Sequence, residues 1–457
     1  MKNFDLNQVK KKLIFFLSIS TVLIFILNIS SYFSHNGPDG EAHNLYIYYL
    51  SMYLPDNFQL PSYADTYEYF SPPIAYIVPS LGIVLCRNII ESVDYKTDCL
   101  TFYDNFGQLF LFLIFISYLY VMLLVSKKLF DNYLKFYVPF LLLTLSLSIN
   151  YQMFIFFRGE SYILLFASLI FLLLIKLTET KKIKFFHYFV LGVLIGLMLL
   201  SRQWAVFFLP SIFYFWLINK VDNQKKVKMF YMFFMSFLIS LFIASPFYIS
   251  LQEKENSLTD LEYFPMDEVS IYKYPSEFYT DIGLSSGLFA NPTITNPNFH
   301  EEKSLFPMYL STIWGDPKGY FSYNHLRYSE QNPKFEKYLG YVNLVGVFYV
   351  ILFFLGVYRF YFSDKVAIKK VEKTIIRLII FNFFSTFLLY IIWMYFYLPA
   401  ISASYMLQIT NLLPFLGAYF LYYMKSKRNY SLMVSLLLVL YISLIPTFIF
   451  RSSYFIF

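Results

Sequence analysis

Asp39, Glu41 and His43 stand within five positions of one another in the stretch SHNGPDGEAHNLYIYYL, residues 34–50. A lone acid at the end of an apolar run is most simply a solvated side chain. Here Gly37, Pro38 and Gly40 surround Asp39 with the composition of a tight turn, which fixes where side chains point. An aromatic run at 45–54 follows directly. A carboxylate held where water meets lipid is placed to take a proton from a hydroxyl as that hydroxyl attacks. If a reaction joins a hydroxyl acceptor to a sugar carried on a lipid phosphate, this is where its base is needed. The phosphate is already a competent leaving group, so the second acid that glycoside hydrolysis needs is dispensable.

Further residues could serve the same chemistry. Glu68 lies in YEYFSPPIAY (67–76), whose two prolines hold the chain extended before a helix can start. Arg158 and Arg202 each fall in a short connection between apolar runs. An arginine at a membrane boundary is expensive and generally has a partner. Glu160 is the simple partner for Arg158. Arg202 has no acid near it in sequence, which points to a phosphate. Ser311-Thr312-Ile313-Trp314-Gly315-Asp316 offers an aromatic face plus a carboxylate, as sugar sites do, or equally a turn packed on the membrane surface. His43, Glu68, Trp314 and Asp316 are therefore the candidate substrate or acceptor contacts. His300 and His325 are isolated, and no His, Cys, Asp and Glu spacing makes a metal site. A divalent ion, Mg or Mn, shared by Asp39 and Glu41 stays open; no other cofactor is expected. No glycine-rich phosphate loop and no nucleophilic Ser, His, Asp set is present, so a soluble nucleotide-binding domain does not fit.

These residues need a scaffold, and the composition says which. The 457 residues are 58% hydrophobic and only 14% charged, with mean hydropathy +0.53; soluble domains carry about 25% charged residues. The chain reads as an all-α polytopic membrane protein. Eleven spans are predicted at 13–31, 107–126, 134–152, 161–178, 187–200, 204–219, 229–250, 340–358, 375–396, 408–424 and 431–450; 187–200 and 204–219 are short and read as a hairpin that barely reaches the outer surface, and the others are near the length that crosses a bilayer core. The first follows the basic flank Lys10, Lys11, Lys12 and lacks a small-residue cleavage pattern, so it reads as retained.

Charge then orients the spans. With the amino terminus inside, 24 of the 36 Lys and Arg fall on the cytoplasmic side, together with only six of the 29 Asp and Glu. That is the positive-inside pattern, and it accounts for the net charge of +7 without nucleic acid. The carboxyl terminus is expected outside. Two outer segments are too long to be simple connectors. The first, 32–106, contains 44–54 and 74–92, read as helices lying along the outer interface. The second, 251–339, is acidic and aromatic and reads as a lid or cap. Three regions follow: 1–250, a membrane module carrying the first loop; 251–339, the large outer loop; and 340–457, the last spans. Cys86 and Cys99 both fall outside, thirteen positions apart. They form a disulfide if that side is oxidising, or stay as two thiols.

Asp39-Gly40-Glu41-Ala42 at the end of the first span, followed some thirty residues later by Pro72-Pro73-Ile74-Ala75-Tyr76, resembles the first outer loop of the GT-C glycosyltransferases. LIGLMLLSRQWAVFFLP (194–210) is similar to a hairpin of the same enzymes. That family includes dolichyl-phosphate-glucose glucosyltransferases, protein mannosyltransferases and bacterial relatives. Motifs carry the resemblance over 13–110; elsewhere it rests on layout. It implies a polyprenyl-phosphate sugar donor, an inverting transfer to a glycan, lipid or protein acceptor, and a bacterial inner membrane. It also implies Asp39 as base, Glu41 as the accompanying acid, and Arg158 and Arg202 as donor phosphate contacts. Many members have an arginine before the tyrosine of a late span; here Ser404 precedes Tyr405, so no phosphate contact is expected there. Two other classes compete: a transporter or flippase of a lipid-linked glycan, which would show inverted repeats, and a polysaccharide polymerase or ligase, which would depend on basic outer residues.

Overall fold

In a computed structural model the described residues are 6–34, 40–54, 58–62, 64–89, 95–180, 184–219, 223–255, 305–314, 333–362, 369–396 and 403–449. Asp39, Asp316 and most of the large outer loop lie outside them. Among the described residues every regular element is helical.

The amino-terminal half contains α1 (Leu6–Ser31), α2 (Gly40–Tyr53), α3 (Ile74–Ile89), α4 (Tyr95–Leu129), α5 (Tyr133–Leu145), α6 (Ser148–Met153), α7 (Glu160–Glu179), α8 (Phe185–Leu199), a 3-10 turn (Gln203–Phe208), α9 (Leu209–Ile218) and α10 (Asn223–Glu255). The remainder contains α11 (Leu305–Trp314), α12 (Pro333–Phe362), α13 (Lys370–Phe396), α14 (Leu407–Thr410), α15 (Leu412–Tyr422), α16 (Lys427–Leu444) and a closing 3-10 turn (Ile445–Thr447). Among the described residues seven helices are long and apolar enough to cross a membrane. They correspond to the expected spans beginning at 13, 107, 161, 229, 340, 375 and 431. The other four expected spans are shorter or broken helices: 134–152 divides into α5 and α6, 187–200 is α8, 204–219 opens with the 3-10 turn, and 408–424 divides at Asn411.

Two of the breaks share one cross-bundle contact. Asn150 and Asn411 exchange hydrogen bonds in both directions, at 2.9 and 3.0 Å, across the bundle. The Asn150 amide also donates to the Thr144 carbonyl, and the Asn411 amide to the Leu407 carbonyl, so both amides are satisfied where helices start and stop. Elsewhere helices meet through small residues. A Cβ on Gly192 or Gly196 of α8 would come within 2.9 Å of Ile239 or Ile243 of α10, the close approach that a Gly-x-x-x-Gly face permits. Large apolar side chains left exposed, such as Phe230, Phe234 and Phe242 on α10, are what a lipid-facing surface requires.

The two expected surface segments are helices. They pack on each other and on α4, with Tyr46 stacked on Tyr76 at 4.1 Å and the Ser80 hydroxyl donating to the Ile47 carbonyl. A Cys86–Cys99 disulfide ties α3 to α4, resolving the alternative that spacing left open.

Candidate functional site

The first loop leaves α1 through a fixed exit. Asp104 of α4 accepts the backbone N–H of Ser34 at 3.2 Å, and Gln108 donates to the Tyr32 carbonyl at 3.0 Å. Beyond residues 35–39 the chain is caught again. Thr66 donates to the Ala42 carbonyl at 2.7 Å, and the Tyr103 hydroxyl donates to the Asn44 side chain at 3.0 Å. The described residues on either side of 35–39 are thus held by side chains of α4 and the following loop. Glu41 stands in the first turn of α2 and is exposed; His43, on the same helix, is buried.

His43 begins a chain of buried polar contacts that crosses the bundle. Its Nε2 accepts from Arg158 Nε at 3.4 Å, and its Nδ1 lies 2.8 Å from the Tyr76 hydroxyl. With Nε2 accepting, the proton belongs on Nδ1, which donates to Tyr76. Glu68 lies 3.8 Å from His43 Nε2 and 3.3 Å from Arg202 Nη1. Ser71 completes a triangle, donating to Glu68 and accepting from Arg202. Arg202 Nε faces Glu160 at 3.5 Å.

Sequence spacing places these groups far apart, and backbone geometry brings them together. A Cβ on Gly159 would lie 1.8 Å from the Ser201 carbonyl oxygen, so only glycine lets the Arg158 and Arg202 connections touch. The start of α3 is held to the same place, with the Ile74 N–H bonded to the Leu200 carbonyl. Pro72 and Pro73 precede that start, as expected.

The electrostatics follow from burial. His43 is pushed down to about 3 by burial, which the pull of Glu68 does not offset against two guanidinium groups. It is a neutral imidazole at working pH. Burial pushes the Glu68 carboxyl up, but His43, Arg202, Arg158 and the Ser71 hydroxyl together hold it at about 2. Glu68 is therefore a carboxylate throughout.

The aromatic surroundings continue the pattern. Arg158 lies over Phe156 and Tyr405, at 5.3 and 5.4 Å from the ring centres. Tyr405 meets Trp204 edge-on at 4.8 Å, and Trp204 in turn carries Arg202 at 5.1 Å. The two arginines are thus joined by a path of rings as well as by the polar chain.

Several expectations need restating. Glu160, the partner expected for Arg158, faces Arg202. Arg202, expected to lack an acid, has two, from 134 and 42 positions away, because the fold rather than the sequence supplies them. Glu68 is enclosed among its partners at 4% exposure and presents no open carboxylate to an acceptor. Trp314 is 1% exposed, its ring pressed on Gly346 and edge-on to Tyr349 at 5.9 Å; burial leaves no face for a sugar. Among the described residues no group of three His, Cys, Asp or Glu could hold a metal. Sequence reasoning missed Asp104; Ser71 and Tyr76 entered it only as part of the Pro-Pro stretch, and Tyr405 only as the residue after Ser404, none of them as a contact in this network.

The family described as dolichyl-phosphate-mannose-protein mannosyltransferase matches residues 104–249, which contain Arg158, Glu160 and Arg202. A structure of ArnT from Cupriavidus metallidurans bound to undecaprenyl phosphate is similar at 10% identity and TM-score 0.42, covering 95% of this chain and 76% of that one. The same protein in the apo state aligns at 10% identity and TM-score 0.44, over 97% and 78%. No curated protein matches the chain.

Proposed function

We propose that the chain is a membrane glycosyltransferase that moves one sugar from a polyprenyl-phosphate donor to a hydroxyl acceptor at the outer face, with inversion. The observation that carries this reading is the buried polar chain from His43 and Glu68 to Arg158, Arg202 and Glu160. It joins the acidic first loop to connections inside the segment that the mannosyltransferase family matches.

In the proposed reaction the acceptor oxygen forms a bond to the anomeric carbon as the bond from that carbon to the phosphate oxygen breaks. The bonding pair leaves with the lipid phosphate, and the acceptor proton passes to Asp39. Glu41, two positions on and exposed, supports that base or shares a Mg or Mn ion with it. Arg158, which donates to the neutral ring of His43, is assigned to the donor phosphate. Arg202, whose charge Glu68 and Glu160 balance, holds the first loop against the two connections.

The test is turnover of a panel of polyprenyl-phosphate sugars by the purified chain in vesicles, with membrane extract as acceptor. Release of polyprenyl phosphate together with a glycosylated product from at least one donor is expected. Movement of a lipid-linked glycan across the bilayer with no transfer would replace this reading with the transporter one.

A further inference from the structure

The opposite end of the bundle carries a corner of positive charge that, among the described residues, no carboxylate engages. Lys10 of α1 and Lys135 of α5 both direct their ammonium groups at the ring of Tyr430 on α16, at 5.6 and 5.5 Å from its centre. The ring is fixed in place, because the Tyr430 hydroxyl donates to the Lys135 carbonyl at 2.9 Å. Lys135 is also steadied by Tyr422, at 5.6 Å, and by the Met424 carbonyl, to which it donates at 3.0 Å. Lys10 is 6% exposed, and among the described residues no carboxylate and no hydrogen-bond acceptor engages it.

Two like charges pressed on one ring repel each other, and burial raises the cost of leaving them unpaired. The backbone adds to the imbalance. Helices α1, α5 and α16 all begin here, so three positive helix ends face one corner. The described carboxylates at this end are committed elsewhere: Asp131 to Lys369, Glu179 to Lys128, and Glu372 to the Tyr423 hydroxyl. What would complete the corner is an anion entering from the membrane edge.

We propose that Lys10, Lys135 and Tyr430 form a binding site for the phosphate of an anionic phospholipid headgroup on the side of the membrane opposite the candidate active site. The phosphate oxygens accept from both ammonium groups, and the acyl chains run into the bilayer beside the bundle. Basic pockets between spanning helices hold headgroups in this way. The inference does not depend on the transferase reading.

Native mass spectrometry of the full chain titrated with phosphatidylglycerol tests it, with Lys10→Gln as the variant and Lys12→Gln, an exposed lysine on the same helix, as the control. One tightly held lipid is expected for the unaltered chain and for the control. Binding to Lys10→Gln should weaken about fivefold, the factor that corresponds to roughly 1 kcal/mol for one lysine near an anionic headgroup. Equal weakening in the control would reduce the effect to general surface attraction and overturn the site, as would undiminished binding by Lys10→Gln. Displacement of the lipid by millimolar inorganic phosphate would assign the corner to a soluble anion and overturn the lipid source.

Discussion

Arg202 with its two glutamates and Lys128 with Glu179 have the same chemistry and opposite settings. Beside the first loop Arg202, Glu68 and Glu160 are 2%, 5% and 0% exposed in their side chains, while Lys128 and Glu179 are 53% and 39% exposed. Coulomb attraction grows as water is excluded, but so does the cost of removing each charge from water. The exposed pair is replaceable at small cost. The buried one is stable only while every member is present, and that interdependence is what organises a site from four separate stretches of chain.

The largest effect that separates the two regions is expected from Glu160→Ala, which leaves Arg202 buried with one partner fewer. It should lower stability by about 3–5 kcal/mol, the cost of breaking a buried pair, measured by thermal unfolding in detergent. A loss under about 1 kcal/mol would place the outer network in the same class as the surface pairs.

Next comes the tether that holds α3 beside that network. Cys86→Ser, or reduction of the Cys86–Cys99 disulfide, should cost about 2–4 kcal/mol by freeing a short loop in the unfolded chain. The same reductant should leave the Cys86→Ser protein unchanged, which identifies the disulfide as its target.

A pH titration of stability sharpens the comparison further. His43 falls from 6.5 to about 3 on folding, so the unfolded chain binds a proton first and stability declines as pH drops from 6.5 toward 3. Glu68 falls from 4.5 to about 2, so its contribution is present above 4.5 and is lost as pH falls toward 2. His43→Gln should flatten the upper window and leave the lower one. A profile that His43→Gln does not alter would mean that His43 is not buried as a neutral ring. The smallest effect is expected from Lys128→Ala at the exposed pair, about 0–1 kcal/mol and weaker still in high salt.

Much of this comparison was legible before any coordinates. Hydropathy located all seven long helices, because a bilayer core demands long apolar runs whatever their packing, but it missed the polar turns by which several extend beyond the apolar run, α4 by twelve residues at its start. The four shorter spans were legible as apolar runs, but their breaks at Leu147 and Asn411 depend on a cross-bundle amide pair that no local pattern announces. Glycine, proline and acid spacing singled out the first loop, and the boundary position singled out both arginines. Their partners were not legible. Glu68 reaches Arg202 across 134 positions only because Gly159 admits Ser201 and the Leu200 carbonyl receives the first turn of α3. Trp314 is a similar case: the sequence left a sugar platform and a packed turn equally open, and the buried ring against Gly346 is what the packed reading describes.

The central claim is that the first-loop acid takes the acceptor proton. Its most direct test is transfer by Asp39→Asn in vesicles containing the polyprenyl-phosphate sugar that the unaltered chain uses. The account predicts that transfer is lost while thermal stability and donor binding stay near those of the unaltered chain. Full transfer by Asp39→Asn would contradict it.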